Sequence, residues 1–293
     1  MSTKEYKLII EGKWEKGANV REVISPFTGE PVSKVHEGDE KFLERAVLVS
    51  TCAQAGLRRI SRSLKSALLG SMAKEIENKR AEFVELLISE AGKPYAFANA
   101  EVTRAVMTFT VASEEAKRFG GEVVPIDIEP AARAYDPAVV YWVPRGVVLA
   151  ITPFNFPLNL VAHKIAPALA SGNAVLLKPA PQTPGAANLL VEIFEKCVAQ
   201  TADAREKFPM GALQLLNCSN EVAAKAVADR RISTLSFTGS VPVGWHLQRE
   251  AVGKKVILEL GGNAAVIVHK DADLERAAVR CAFGGFAYAG QSC

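Results

Sequence analysis

The chain of 293 residues is 49% hydrophobic and 23% charged, enough to bury a large core in one big domain or two. Its net charge is +3, and Lys and Arg alternate with Asp and Glu, so there is no basic stripe of the kind nucleic acid requires. The amino terminus lacks a hydrophobic signal core and no apolar run approaches the roughly 18 residues that cross a bilayer, so a cytoplasmic protein without membrane or nucleic-acid partners is expected.

In chain order, Lys7 to Trp14, Val20 to Ile24 and Val32 to Val35 read as short strands separated by Gly and Pro turns. Asp39 is a candidate N-cap for a helix through about Ala55. Apolar residues at threes and fours continue the helical pattern over Arg58 to Arg80 and Ala81 to Ala91, with Gly92 and Pro94 marking the stop. A long helix over Ala96 to Phe119 follows. Gly120-Gly121 and the β-rich run Ala138 to Val143 then suggest a hairpin leaving the main body.

From Arg145 short apolar strands alternate with helices. The strands read as Val147 to Ile151, Ala174 to Leu177, Leu213 to Leu216, Ile232 to Phe237 and Lys255 to Leu260; helices start at Pro157, Pro184, Asn220 and Val241. That alternation means βαβ units and a parallel sheet, hence an α/β fold. A further strand over Ala264 to Val268 and a helix from Asp271 to about Tyr288 open a new unit, too small to bury its own apolar faces.

Five motifs fall on this frame. Thr152-Pro153-Phe154-Asn155-Phe156-Pro157 follows the first strand of the alternating region, and its two prolines restrict the backbone around the Asn155 amide. Lys178-Pro179-Ala180 ends the second strand, at the carboxyl edge where doubly wound sheets bind ligands. Phe237-Thr238-Gly239-Ser240, running on to Gly244, joins a strand to a helix. It is either an ordinary tight turn or an anion site at a helix start, with Gly239 and Gly244 letting the backbone approach. Leu258-Glu259-Leu260-Gly261-Gly262-Asn263 puts a carboxylate at a strand end. Gly290-Gln291-Ser292-Cys293 ends the sequence on a thiol.

The other cysteines, Cys52, Cys197, Cys218 and Cys281, form no CxxC pair and read as reduced core or surface thiols. His36, His163, His246 and His269 show no metal-ligand spacing, so no metal is expected and all four read as structural.

In this order and at these separations, the five motifs resemble the aldehyde dehydrogenase superfamily. The stretch Ile151 to Pro167 is most similar to the branch with lactaldehyde, succinate-semialdehyde and non-phosphorylating glyceraldehyde-3-phosphate dehydrogenases. The resemblance implies a Rossmann-like doubly wound parallel sheet as cofactor domain (1–119 and 145–260), a protruding β-hairpin for oligomerisation (120–144) and the truncated start of a second α/β catalytic domain (261–293). It implies oxidation of an aldehyde to a carboxylic acid with NAD or NADP, and a homodimer or homotetramer in the full-length form. Small polar aldehydes are the expected substrates.

By the same resemblance Cys293 is the nucleophile, Asn155 the oxyanion donor and Glu259 the base that activates water on the thioester. The cofactor is implied to lie against Ile151, Thr152, Pro153 and Phe154, and against Lys178, Ala180 and Pro181, with Lys178 on the adenosine ribose. Its pyrophosphate and nicotinamide side would meet Phe237, Thr238, Gly239, Ser240 and Val243, then Leu260 and Gly261. Where NAD-preferring members carry a Glu, this sequence has Pro181, which neither binds a ribose diol nor repels a 2'-phosphate; NADP or dual use follows. Thr183 could add a polar contact; Arg104 and Phe109 could line the substrate entrance, although a helix facing the core would carry them equally well. Family members continue past the nucleophile. With Cys293 as the true terminus, its own carboxylate would raise the thiol pKa, so the alternative expectation is a cofactor-binding but inactive fragment.

Overall fold

A computed structural model describes residues 4–129, 137–201 and 207–292. The amino-terminal strands are β1 (Lys4–Tyr6), β2 (Leu8–Ile10), β3 (Lys13–Glu15), β4 (Asn19–Ile24) and β5 (Pro31–Glu37). Strand β5 pairs with β4 antiparallel and with β1 in parallel, which makes a small sheet around Tyr6, Val23 and Val35.

Four helices follow, α1 (Glu40–Leu57), α2 (Arg62–Asn78), α3 (Arg80–Ala91) and α4 (Tyr95–Arg118). Helix α1 begins where the sequence reading placed it, because the Asp39 carboxylate accepts the Phe42 N–H at 2.9 Å and satisfies one of the orphan donors of the first turn. Gly92 ends α3 with φ at +60°, a conformation that costs a residue without Cβ little. Phe109 on α4 is fully buried among the core residues and therefore lines no entrance, whereas Arg104 is exposed. Strands β6 (Gly121–Val124) and β7 (Ala138–Tyr141) form a separate antiparallel ribbon that exposes Val123, Tyr141 and the adjacent Trp142.

The remaining elements are β8 (Val147–Ile151), α5 (Asn159–Ala170), β9 (Val175–Lys178), α6 (Gly185–Thr201), β10 (Leu213–Leu215), α7 (Asn220–Ala228), β11 (Ile232–Gly239), α8 (Val241–Glu250), β12 (Lys255–Leu260) and α9 (Leu274–Phe286). The main sheet has seven strands in the order β12-β11-β8-β9-β10-β2-β3, the first five parallel and the last two antiparallel. Every residue of β8, β9 and β10 is buried, as strands covered by helices on both faces must be. Read from β10 to β12, the parallel strands have the order 3-2-1-4-5 of a doubly wound nucleotide-binding sheet. The order in which strands are added reverses between β8 and β11, and the crevice at their carboxyl ends is where such sheets take ligands.

The tail departs from the sequence reading. Ala264 to Val268 forms no strand, and Val266, Ile267 and Val268 are exposed. Strand β12 is an edge of the sheet, and among the described residues nothing lies alongside 264–268 to accept and donate the ladder bonds that would make it one. Helix α9 is shorter than expected, starting where Asp273 caps the Arg276 N–H at 3.0 Å, and it buries no side chain.

Candidate active site

Strand register assembles most of the expected cofactor residues. Ile151 pairs with Lys178 on β9 and with Phe237 on β11, while on the other side of β11 Thr238 pairs with Glu259 and Gly239 with Leu260. A row of candidates far apart in sequence thus runs along the carboxyl edge of four adjacent strands. Ile151, Thr152, Lys178, Ala180 and Phe237 are buried, Pro153, Pro181, Thr238, Gly239 and Leu260 half-buried, and Phe154, Ser240, Val243 and Gly261 exposed. Burial is the main cause that lowers the Lys178 ammonium pKa, partly offset by the Cys218 thiol nearby.

Three buried polar atoms at this edge have no hydrogen-bond partner: Thr152 Oγ1 after β8, Thr183 Oγ1 after β9 and Asn217 Nδ2 after β10. Buried polar groups are nearly always bonded, so a cluster of orphans along one strand edge fits a ligand rich in hydroxyl and phosphate oxygens. Helix α8 adds its amino-terminal N–H groups, for the Ser240 side chain makes no capping bond. These residues fit a dinucleotide. Both turn glycines are closely packed: a Cβ on Gly244 would sit 2.4 Å from Leu260 Cδ2, and one on Gly239 2.5 Å from the Phe237 ring.

Asn155 follows β8 in a short turn before α5. Its Nδ2 donates to the Gln291 carbonyl at 2.6 Å, and its own Oδ1 is buried without a partner. Gln291 lies two positions before Cys293, which itself is outside the described residues. Glu259 stands apart from this pair. It lines a cavity of about 500 Å³ between α5 and the β11–β12 pair, with His163, Lys164, Ser236 and Thr238. Lys164 donates to Ser236 Oγ at 3.0 Å, and burial pushes its ammonium down to about 8 against the pull of the Glu259 charge. His163 is likewise held below the usual imidazole value by burial, then by the Arg104 and Lys164 charges. It thus shares a cavity with Glu259.

The sequence reading did not single out Lys93 or Glu101. Their side chains are wholly buried as an ion pair, and Lys93 Nζ also donates to the Asn155 carbonyl at 2.7 Å. The other Glu101 oxygen accepts the Leu158 and Asn159 N–H groups at 2.9 and 3.0 Å, capping α5 from a different helix. Gly92-Lys93-Pro94 read only as a helix stop, and no local periodicity links Lys93 to Glu101 across that break. Among the described residues no cluster of metal-ligating side chains occurs, and no helix is long and apolar enough to cross a membrane.

Comparison with known proteins places this geometry. The aldehyde dehydrogenase family model matches residues 14–293. The 3-sulfolactaldehyde dehydrogenase of Priestia megaterium is 38% identical over 291 residues, 99% of this chain and 58% of that protein. The lactaldehyde dehydrogenase of Methanocaldococcus jannaschii is 34% identical over 287 residues, 98% of this chain and 59% of that protein. Among solved structures, aldehyde dehydrogenase 21 from Physcomitrella patens, in complex with the reaction product succinate, superposes with a TM-score of 0.92 at 36% identity, covering 100% of this chain and 60% of that one. The NADP-dependent glyceraldehyde-3-phosphate dehydrogenase from Bacillus halodurans C-125, complexed with NADP, gives a TM-score of 0.92 at 30% identity over 99% of this chain and 60% of that one. The chain therefore spans about three fifths of the length of the relatives it matches. With a family model matched from residue 14 to residue 293, and a sheet that superposes on solved members, the chain belongs to the aldehyde dehydrogenase family.

Proposed function

We propose that this chain carries the nucleotide site and the reacting residues for NAD(P)-dependent oxidation of a small polar aldehyde to its carboxylic acid. The observation that carries the reading is the 2.6 Å bond from Asn155 Nδ2 to Gln291, which sets the amide beside the segment leading into Cys293. The Cys293 thiolate adds to the aldehyde carbon, and the carbonyl electron pair moves onto oxygen, where Asn155 Nδ2 donates to the oxyanion. When bound, the nicotinamide supplies the hydride acceptor that turns the thiohemiacetal into a thioester. Glu259 takes a proton from water, the oxygen adds to the thioester carbon, and the C–S bond breaks to return the thiolate and release the acid.

Thr152, Lys178, Thr183 and Asn217 are the groups that would hold the nucleotide; the unpaired buried atoms of Thr152, Thr183 and Asn217 and the buried ammonium of Lys178 support that role. At Pro181 no carboxylate opposes a 2'-phosphate, which favours NADP or dual use; the Bacillus halodurans relative is described with NADP. The relatives' substrates, lactaldehyde and 3-sulfolactaldehyde, are small and polar, and this chain is assigned the same class. The β6–β7 ribbon, with Val123, Val139, Tyr141 and Trp142 exposed, is read as the contact for a homodimer or homotetramer, and 261–293 as the start of a catalytic domain.

A second reading, nucleotide binding without turnover, is favoured by the exposure of Glu259 and the absence of any buried side chain on α9. Calorimetry with NAD and NADP, followed by reduced-cofactor absorbance with lactaldehyde and succinate semialdehyde, separates the two. Steady absorbance growth supports oxidation, binding with a flat trace supports the second reading, and no binding of either nucleotide sinks both.

A further inference from the structure

Lys93 is unusual in being a fully buried ammonium on a short connection between helices, where an apolar side chain would avoid the cost of desolvation. Its surroundings show what the charge holds. The Nζ is bonded to Glu101 and to the Asn155 carbonyl, and it lies 4.1 Å from the centroid of the Phe156 ring and 4.3 Å from that of Tyr288. The two rings meet edge-on with centroids 5.6 Å apart. Phe156 belongs to the turn that carries Asn155, and Tyr288 to the segment that leads to Gln291 and Cys293. Tyr288 is also the buried residue of the tail turn Ala287–Gly290, where Tyr288 and Ala289 both adopt left-handed φ values of +50° and +52°. Non-glycine residues rarely hold that conformation unless the surroundings enforce it.

We propose that Lys93 is a positioning residue: its ammonium, held by Glu101 between the Phe156 and Tyr288 rings, sets the spacing between the Asn155 amide and the segment that ends in Cys293. Glu101 fixes the far side of the same turn by capping Leu158 and Asn159, so one ion pair restrains the backbone from Asn155 to Asn159. The remaining face of the ammonium is then directed to the aromatic rings, whose faces attract a desolvated cation. Beside that attraction, the tail is held by the Tyr288 ring against Phe97 and Phe156, by the Tyr288 hydroxyl bond to the Ala91 carbonyl at 3.4 Å and by the Asn155–Gln291 bond. A guanidinium would not substitute, because its planar fork needs more room than the Nζ occupies between the rings.

This inference rests on the aldehyde-oxidation reading, and two measurements on the full chain keep the two apart. Hydrogen exchange over residues 287–292 reports docking of the tail without any need for turnover. Protection there is expected to fall by about tenfold or more in Tyr288→Leu and in the double variant Lys93→Met/Glu101→Gln, and to persist in Tyr288→Phe, which keeps the ring. Where the wild-type chain oxidises aldehyde, Tyr288→Leu is expected to lower kcat by about 10- to 100-fold while the KM for nucleotide stays within about twofold, with Tyr288→Phe recovering most of the loss. Unchanged exchange in a folded double variant overturns the clamp, as does unchanged exchange in Tyr288→Leu or a loss in Tyr288→Phe equal to that in Tyr288→Leu. Thermal melting identifies a double variant that does not fold, in which case the Tyr288 pair alone decides. A wild-type chain with no turnover but the expected exchange pattern retires the oxidation reading and leaves the clamp standing.

Discussion

The side-chain amide of Asn155 donates to the main-chain carbonyl of Gln291 across a sequence separation of 136 residues, at 2.6 Å. That bond joins the turn after β8 to the last described residues of the tail. If the amide serves the oxyanion, Asn155→Ala should reduce kcat by about 100- to 1,000-fold, equivalent to about 3–4 kcal/mol, and leave nucleotide affinity unchanged. Steady-state kinetics with calorimetric nucleotide titration tests this; weakened nucleotide binding with kcat unaltered would assign Asn155 to the cofactor instead.

Pro181 offers a direct handle on cofactor choice. Pro181→Glu should weaken NADP binding by about tenfold or more through repulsion of the 2'-phosphate, and leave NAD binding equal or tighter. Calorimetry with both nucleotides at fixed ionic strength is the check. Equal losses for NAD and NADP would show that the side chain at this position disturbs the loop and does not read the ribose.

Glu90 is a buried carboxyl that accepts the Gly185 N–H at 2.7 Å and the Ser33 hydroxyl at 2.8 Å, and burial pushes its pKa up to about 7. Because the folded pKa lies above the unfolded one, the folded chain binds more protons between about pH 4.5 and 7, and stability contributed by the neutral form is lost as pH rises through that window. The loss amounts to about 3 kcal/mol at most. Thermal melting across pH 5 to 8, or about that range, should show a decline that Glu90→Gln flattens. A parallel decline in the variant would place the titration elsewhere.

Gly244 lets α8 lie against the end of β12, since a Cβ there would fall 2.4 and 3.0 Å from the two Leu260 methyl carbons. Gly244→Ala should destabilise by about 1–3 kcal/mol, and Leu260→Val in the same chain should return part of it. Chemical denaturation of both single variants and the double variant measures the coupling, and strictly additive effects would contradict the contact.

Particular elements show how far the sequence reached. Strands β8 and β12 fall on the residues their apolar runs predict, and α1 starts at the cap that Asp39 predicts, because burial pattern and capping are written in neighbouring residues. The five motifs and their order carry the resemblance to the family whose model matches residues 14–293, because they are short runs of defined side-chain type. The expected strand over Ala264 to Val268 failed for the opposite reason: its apolar residues satisfy a strand's composition, but a strand exists only through a partner, and none of the described residues supplies one.

By itself, then, the sequence determined the alternation of β and α elements, the family and the candidate residues, since these depend on side-chain type and local spacing. The tertiary structure decided which of those candidates stand side by side. It set Ile151 between Lys178 and Phe237, packed Gly244 against Leu260, buried Phe109 in the core, and brought Lys93, Glu101 and Tyr288 around Asn155. Strand register and the pairing of buried charges are agreements between distant segments, and no local pattern encodes them.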